Sequence, residues 1–386
     1  MVECIVCGSS RPAEIFELVD VPVLCNQLWP DRSAASSAPV GDIHLHRCPD
    51  CAMIWNVSFD PDRMVYSTGY ENALHFSPSF RSFSESLADN LVARFDLSGR
   101  TVVEIGCGDG HMLDLLAKRG VAEAVGYDPS MKSRETPFTE QAGVEIVPEY
   151  FTAGNVTRPF DAVICRHVLE HLDAPMEMLS DLRRAIGARD VPVYFEVPNA
   201  DWMMRTVSMW DVIYEHVCYW TAPSISAAFR RAGFVPVSVA EGYGGQFLMV
   251  EARPGEPQPD WLPDNVSATL EDADAFSRTA RSILGTWRDE LTGRPGSAVI
   301  WGAGSKGITF GNALGKAGGM ISALVDLNPR KHGLMAPGMA LPVVAPEQLA
   351  EIAPDLVLIS NALYADEIET RVRSMGLNPD FRIVAG

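Results

Sequence analysis

The chain has 386 residues, 47% of them hydrophobic and 21% charged, which is enough for two or three domains with a core each. A formal net charge of −19 argues against broad electrostatic attachment to nucleic acid or an anionic membrane, while a few local cations could still hold an anionic small molecule. No apolar run reaches membrane-spanning length, the first residues form no signal peptide, and eight scattered cysteines make no disulfide framework, so a reduced, cytoplasmic protein is expected.

The chain opens with Cys4-Ile5-Val6-Cys7, and after forty residues repeats the spacing in Cys48-Pro49-Asp50-Cys51. Tetrahedral Zn²⁺ takes four soft ligands, and each C-x-x-C pair supplies two from one tight turn. Cys4, Cys7, Cys48 and Cys51 are therefore the expected ligands of a structural zinc, since four thiolates leave no open position for water. Redox thiols are the alternative, and His44 or His46 is near enough in sequence to replace one ligand. The module is expected to span 1–65 and to be poor in core, with a small-residue loop from Ser33 to Pro39. From Tyr66 the character changes: Tyr66, Tyr70, Glu71, Asn72, His75 and Phe76 form a polar-aromatic patch before an amphipathic helix over Phe80–Phe95. Such a patch suits either a pocket wall or a packed linker.

Strands then alternate with helices. β-favouring runs at Val102–Ile105, Ala124–Tyr127, Val144–Val147, Phe160–Cys165, Val191–Val197, Phe234–Ala240 and Gln246–Ala252 predict seven strands, the last two joined as a hairpin. The block from Asn199 to Thr221 breaks the alternation and reads as an insertion above the sheet edge. The first run leads into Glu104-Ile105-Gly106-Cys107-Gly108-Asp109-Gly110, and the second ends at Asp128. Glycines let the backbone approach a ligand closely, and a carboxylate at the next strand tip can accept ribose hydroxyls. An acidic loop without a basic neighbour disfavours a pyrophosphate and suits a cationic ligand carrying ammonium and sulfonium groups. The pattern resembles motif I of the class I S-adenosylmethionine-dependent methyltransferases.

After a proline-rich hinge (Pro254, Pro257, Pro259, Pro263) a long helix is expected over Ala268–Leu291. A second α/β unit follows, with strands at Ala298–Trp301, Ile321–Leu327, Leu356–Ser360 and Phe381–Val384 and a glycine turn at Gly302-Ala303-Gly304-Ser305-Lys306-Gly307. This lobe either holds a nucleotide moiety or keeps only the scaffold. The expected architecture is thus α/β throughout: a small zinc-binding module (1–65), a central Rossmann-like methyltransferase sheet (66–255) and a second Rossmann-like lobe (256–386).

Taken together, the double C-x-x-C, the central lobe, the carboxyl-terminal lobe, Arg166-His167-Val168-Leu169-Glu170-His171, Tyr214-Glu215-His216 and Gly244-Gly245-Gln246 resemble the sugar C-methyltransferases of deoxysugar biosynthesis. The resemblance covers almost the whole chain. It implies a nucleoside-diphosphate 4-keto-6-deoxysugar as acceptor, methylated on the carbon beside the ketone, in a monomer or homodimer. The sequence departs from the family where Tyr214 abuts Glu215 without an intervening residue, at His167 and Glu170 in the post-strand loop, and in the stretch Tyr70 to Phe76.

On this reading His216 is the base that removes the acceptor proton, with Glu215 orienting it, and His171 and Tyr214 contact the ketone or enolate. His171 could instead cap or pack. Tyr66, Tyr70 and His75 would bind substrate. Glu104, Gly106, Gly108 and Gly110 would line the amino-acid end of S-adenosylmethionine and Asp128 its ribose, while Tyr127 or Pro129, or else Tyr150 or Phe151, would flank its adenine, with His167 near the methyl-donor end. Methylation of oxygen or nitrogen, and an NAD-dependent oxidoreductase built on the carboxyl-terminal glycine loop, are the competing readings.

Overall fold

The computed structural model describes residues 2–64, 76–133, 136–156, 158–292, 294 and 296–384. Tyr66, Tyr70 and His75, the expected substrate residues, lie outside them. Three sheets organise the chain. The first is antiparallel, with β1 (Ala13–Pro22), β2 (Val40–Arg47) and β3 (Ile54–Asn56) side by side; a short helix α1 (Arg32–Ser36) lies between β1 and β2.

The second sheet carries β4 (Thr101–Ile105), β5 (Glu123–Tyr127), β6 (Val144–Val147), β7 (Ala162–Arg166) and β8 (Val193–Pro198), all parallel. Helices α2 (Pro78–Phe95), α3 (His111–Ala117) and α4 (Pro175–Ile186) interleave with them. The central strands β4 and β7 are buried on both faces: Val103, Ile105, Val163 and Cys165 enter one core layer, and Val102, Ala162 and Ile164 the other. That two-sided burial is why both read in sequence as mostly apolar runs. After α5 (Ala200–Arg205), β9 (Cys218–Tyr219) and α6 (Ala222–Arg231), the hairpin β10 (Phe234–Gly242) and β11 (Phe247–Pro254) completes the sheet, with β11 antiparallel to β8. Its strand order is β10-β11-β8-β7-β4-β5-β6.

The third sheet follows the 26-residue helix α7 (Ser267–Thr292) and is wholly parallel, in the order β14-β13-β12-β15-β16. Its strands are β12 (Ala298–Trp301), β13 (Ile321–Val325), β14 (Val343–Val344), β15 (Leu356–Ile359) and β16 (Asp380–Ile383), with helices α8 (Ser305–Leu314), α9 (Leu349–Ile352) and α10 (Ala365–Ser374). No helix among the described residues is long and apolar enough to cross a membrane.

Two expectations change. The amino-terminal segment is not poor in core: Ile15, Phe16, Ile43 and Leu45 are buried in one cluster with Phe276 and Ala280 of α7 and Ile308 and Phe310 of α8. Phe16 meets Phe276 edge-on at 5.3 Å. The segment's apolar residues look too few only when counted alone, because half of their partners lie more than 200 residues away. The block Asn199–Thr221 is also more than a cover over the sheet edge. Its strand β9 pairs with β3 (Ile54 opposite Tyr219, Trp55 opposite Cys218), so the central lobe supplies the fourth strand of the first sheet.

Candidate active site

The loop after β4 turns on three glycines with positive φ: Gly106 at 70°, Gly108 at 53° and Gly110 at 88°. At Gly106 a Cβ would stand 2.1 Å from Val168 Cγ2, so the glycine loop and the loop after β7 are packed too closely for any side chain there. At Gly108 nothing lies within 4 Å of that position, which leaves the backbone open to a ligand. Asp128, at the tip of β5, accepts the Gly108 amide at 2.8 Å on one carboxylate oxygen and the Ser130 amide at 2.9 Å on the other. Glu104 is 3% exposed and its Oε2 has no hydrogen-bond partner among the described residues. Burial raises its pKa to about 8, against the pull of Arg166, with Asp128, Asp109 and Glu196 adding to the rise. A buried carboxyl that burial keeps protonated, short of partners, would ionise on meeting a cationic ammonium group, the chemistry of a methionine amine. Phe151 packs edge-on against Tyr127 at 5.5 Å, beyond β6.

His167 begins the loop after β7 with φ of 55°, an uncommon conformation for a residue with a side chain. Its ring lies 3.0 Å from Glu196 and 3.6 Å from Glu170. Burial alone would lower its pKa, but the two carboxylates outweigh it and hold the pKa at about 9, so the ring is an imidazolium at neutral pH. Glu196, on β8, is fully buried and also accepts two bonds from Arg166, at 2.9 and 2.8 Å, and one from Tyr194 at 3.0 Å.

A cavity of about 350 Å³ opens beside this network and is walled by all three parts of the chain. Asn26 comes from the amino-terminal segment, His167, His171, His216 and Phe247 from the central lobe, and Gly302, Lys306, Asp326 and Asn361 from the carboxyl-terminal lobe. His171 and His216 meet edge to face at 4.9 Å. The Nδ1 of His171 lies 2.8 Å from the Glu215 carbonyl oxygen, which can only accept, so Nδ1 carries the hydrogen and Nε2 the lone pair of the neutral ring. Burial first, and His171 second, push the His216 pKa down to about 3, leaving a neutral imidazole facing the cavity.

Three consecutive residues diverge here. Tyr214 does not line the cavity: it is 1% exposed, its ring fills the space above Gly41, and its hydroxyl accepts the Asp60 amide at 2.9 Å. Glu215 sends its carboxylate to the amides of Cys25 at 2.5 Å and Asn26 at 3.4 Å. That carboxylate ties the insertion to the first segment. Of the triplet only His216 faces the cavity. The carboxyl-terminal side is polar: Lys306 lies 2.8 Å from Asp211, and Lys331 bonds Asp326 at 3.2 Å and the Ala303 carbonyl at 2.9 Å. Gln246 and Asn361 exchange amide hydrogen bonds of 3.0 and 3.2 Å across the two lobes. Sequence reasoning assigned no role to Glu170 or Asn26. The i,i+3 spacing of His167 and Glu170 after a strand was a usable signal, while Asn26 offered none.

At the other end of the first sheet, the sulfurs of Cys4 and Cys51 lie 3.6 Å apart and those of Cys7 and Cys48 3.5 Å apart, and all four are within 4.8 Å of one another. A tetrahedron with Zn–S of about 2.3 Å has edges of about 3.8 Å, so the donor set and its spacing fit a zinc ion.

Residues 80–239 match the family model described as a methyltransferase domain. The chain is an S-adenosylmethionine-dependent methyltransferase. Residues 271–378 of this methyltransferase match a second model, the C-methyltransferase C-terminal domain. It is 27% identical to C-methyltransferase NovU of Streptomyces niveus over 95% of this chain and 91% of that one. It is also 30% identical to tRNA U34 carboxymethyltransferase of Campylobacter jejuni, over 36% of this chain and half of that protein. Among solved structures it is similar to an S-adenosylmethionine-dependent methyltransferase from Aquifex aeolicus, with a TM-score of 0.37, 17% identity, and 46% of this chain and 94% of that one covered.

Proposed function

We propose that this methyltransferase adds a methyl group to carbon, beside the ketone of a nucleotide-linked 4-keto-6-deoxysugar in natural-product biosynthesis. The observation that carries the reading is the single cavity joining the His171–His216 pair to a glycine loop bearing Lys306. When bound, S-adenosylmethionine supplies an activated methyl on a sulfonium. Glu104 and the glycine loop hold its amino-acid end, Asp128 its ribose, and Phe151 flanks its adenine. His216 takes the proton from the acceptor carbon, and His171, whose Nδ1 hydrogen is taken by the Glu215 carbonyl, donates to the enolate oxygen from Nε2 only once that nitrogen is protonated. The nucleotide end lies against Gly302 to Lys306, with Lys306 the cation for its phosphates. The four cysteines hold a structural zinc in a module spanning 1–65, ahead of catalytic (66–255) and acceptor-side (256–386) domains.

The test is incubation with S-adenosylmethionine and a panel of nucleotide 4-keto-6-deoxysugars, reading product mass and carbon NMR. A new carbon-linked methyl is expected. A methyl on oxygen or nitrogen, or donor binding with no methylated keto-sugar, would replace the C-methyl reading.

A further inference from the structure

Glu170 has no task in the scheme above. It sits in the single turn Leu169–His171 after β7, is 1% exposed, and lines the cavity. Its Oε2 has no hydrogen-bond partner among the described residues, an arrangement that folding alone disfavours. One of its carboxylate oxygens lies within 4.8 Å of a ring nitrogen on both His171 and His216. The groups facing His216 are His171, Glu170 and His167 from the loop after β7, and Tyr219 from β9. The Tyr219 hydroxyl is engaged with the backbone of Ile213. Beyond them, Cys218 lies close to Glu170 and Asp173. Glu170 is the one anion among the four that face His216.

A buried neutral histidine is a weak base because the imidazolium it must become is poorly solvated. A carboxylate beside it restores basicity, as the third member of a catalytic triad does for its histidine. We propose that Glu170 is a positioning residue of the methyl transfer, its carboxylate balancing the imidazolium that forms on the His171–His216 pair when the acceptor gives up its proton. The proposal rests on the C-methyl reading. In that step the acceptor C–H bond breaks, its proton going to the imidazole nitrogen and its electron pair to the enolate. The enolate carbon then bonds the methyl carbon while the C–S bond breaks, its pair passing to sulfur as a neutral thioether, and the imidazolium later releases its proton to water. A divalent cation on the same three side chains is disfavoured by the protonated His167, 3.6 Å from Glu170.

The test compares Glu170→Gln and Glu170→Asp with the wild-type full chain. In Glu170→Gln the kcat is expected to fall about 10–100-fold, with the acceptor KM and donor Kd within about twofold. The isotope effect from an acceptor deuterated at the reacting carbon should rise, because proton removal has become slower. Glu170→Asp, which keeps the charge, should recover most of the rate and serves if the glutamine variant fails to fold. Independently of any acceptor, diethyl pyrocarbonate should modify His171 and His216 several-fold more slowly in Glu170→Gln, read by peptide mass. An unchanged isotope effect, an aspartate variant as slow as the glutamine one, equal modification rates, or loss of a second bound metal equivalent would each overturn the proposal. If wild-type protein makes no carbon-linked methyl while the modification rates still differ, the C-methyl reading fails and the coupling of Glu170 to the histidines stands.

Discussion

Replacing Glu196 with glutamine should be among the most destabilising single changes in the central lobe. The residue is fully buried and meets three partners, Arg166, Tyr194 and His167, at 2.8 to 3.0 Å. Burial by itself would raise its pKa, yet Arg166 and then His167 bring it down to about 2 from an ordinary 4.5. At about 1.4 kcal/mol per tenfold, that fall corresponds to about 3 kcal/mol. Breaking a buried ion pair costs about 3–5 kcal/mol because the remaining charge is left uncompensated. The two routes agree on about 3–4 kcal/mol. Glu196 has a lowered pKa, so its contribution is complete above pH 4.5 and is lost as pH falls through about 2. His167 has a raised pKa, so its contribution is complete below pH 6.5 and is lost as pH rises through about 9. These are one interaction seen from two partners and are not summed. Urea denaturation of wild type and Glu196→Gln at pH 6 should show the full gap, and at pH 9.5 a smaller one that persists because Arg166 stays charged. A gap under about 1 kcal/mol at pH 6, or no narrowing at pH 9.5, would refute the reasoning.

Three further outcomes are expected. His216→Ala should slow methyl transfer by about 10²–10⁴-fold with donor Kd unchanged, while Tyr214→Phe should keep near-normal kcat and lose about 1 kcal/mol of stability, its hydroxyl serving the Asp60 amide. Near-normal turnover in the first or a collapse of kcat in the second would reverse these assignments. Asp128→Ala should weaken S-adenosylmethionine binding by about 1–3 kcal/mol in calorimetry, since a ribose hydrogen bond and the support of Gly108 go together; an unchanged Kd would remove Asp128 from the site. Metal analysis should find about one zinc per chain. Cys48→Ala should lower that content and the thermal midpoint together, and metal-free wild type with an unaltered midpoint would deny zinc a structural part.

The central sheet was legible because its inner strands, buried on both faces, leave mostly apolar residues between the turns, with Glu104 and Glu196 as the polar exceptions. The four main strands of the third sheet were equally plain, but two-residue β14 carries too few residues for any periodicity. The first sheet was legible in principle: Glu14-Ile15-Phe16-Glu17-Leu18 and Asp42-Ile43-His44-Leu45 nearly alternate. Bulges at Glu14/Phe16 and Leu18/Val21 interrupt that period, and no local pattern announces that α7 and α8 complete the core. The triplet Tyr214-Glu215-His216 shows the limit at the site. Within irregular chain, neighbouring side chains follow no fixed period, so adjacency in sequence did not reveal three separate destinations: Asp60, Cys25 and the cavity. The cavity wall beyond Gly302 depends on how two lobes dock, as in the Gln246–Asn361 pair, which neither segment encodes alone.

The strand β9 has a bearing on how this chain can be cut and recombined. Its two residues are paired to β3, the carboxylate of Glu215 is committed to Cys25 and Asn26, and His216 stands between those attachments. A chimaera joined at residue 65 would separate what the fold interlocks, leaving a bare strand and an unanswered carboxylate one residue from the histidine. The structural unit is therefore discontinuous, the cysteine segment together with the insertion from Asn199 to Thr221, and exchange between relatives should preserve the fold only when both pieces travel from the same parent.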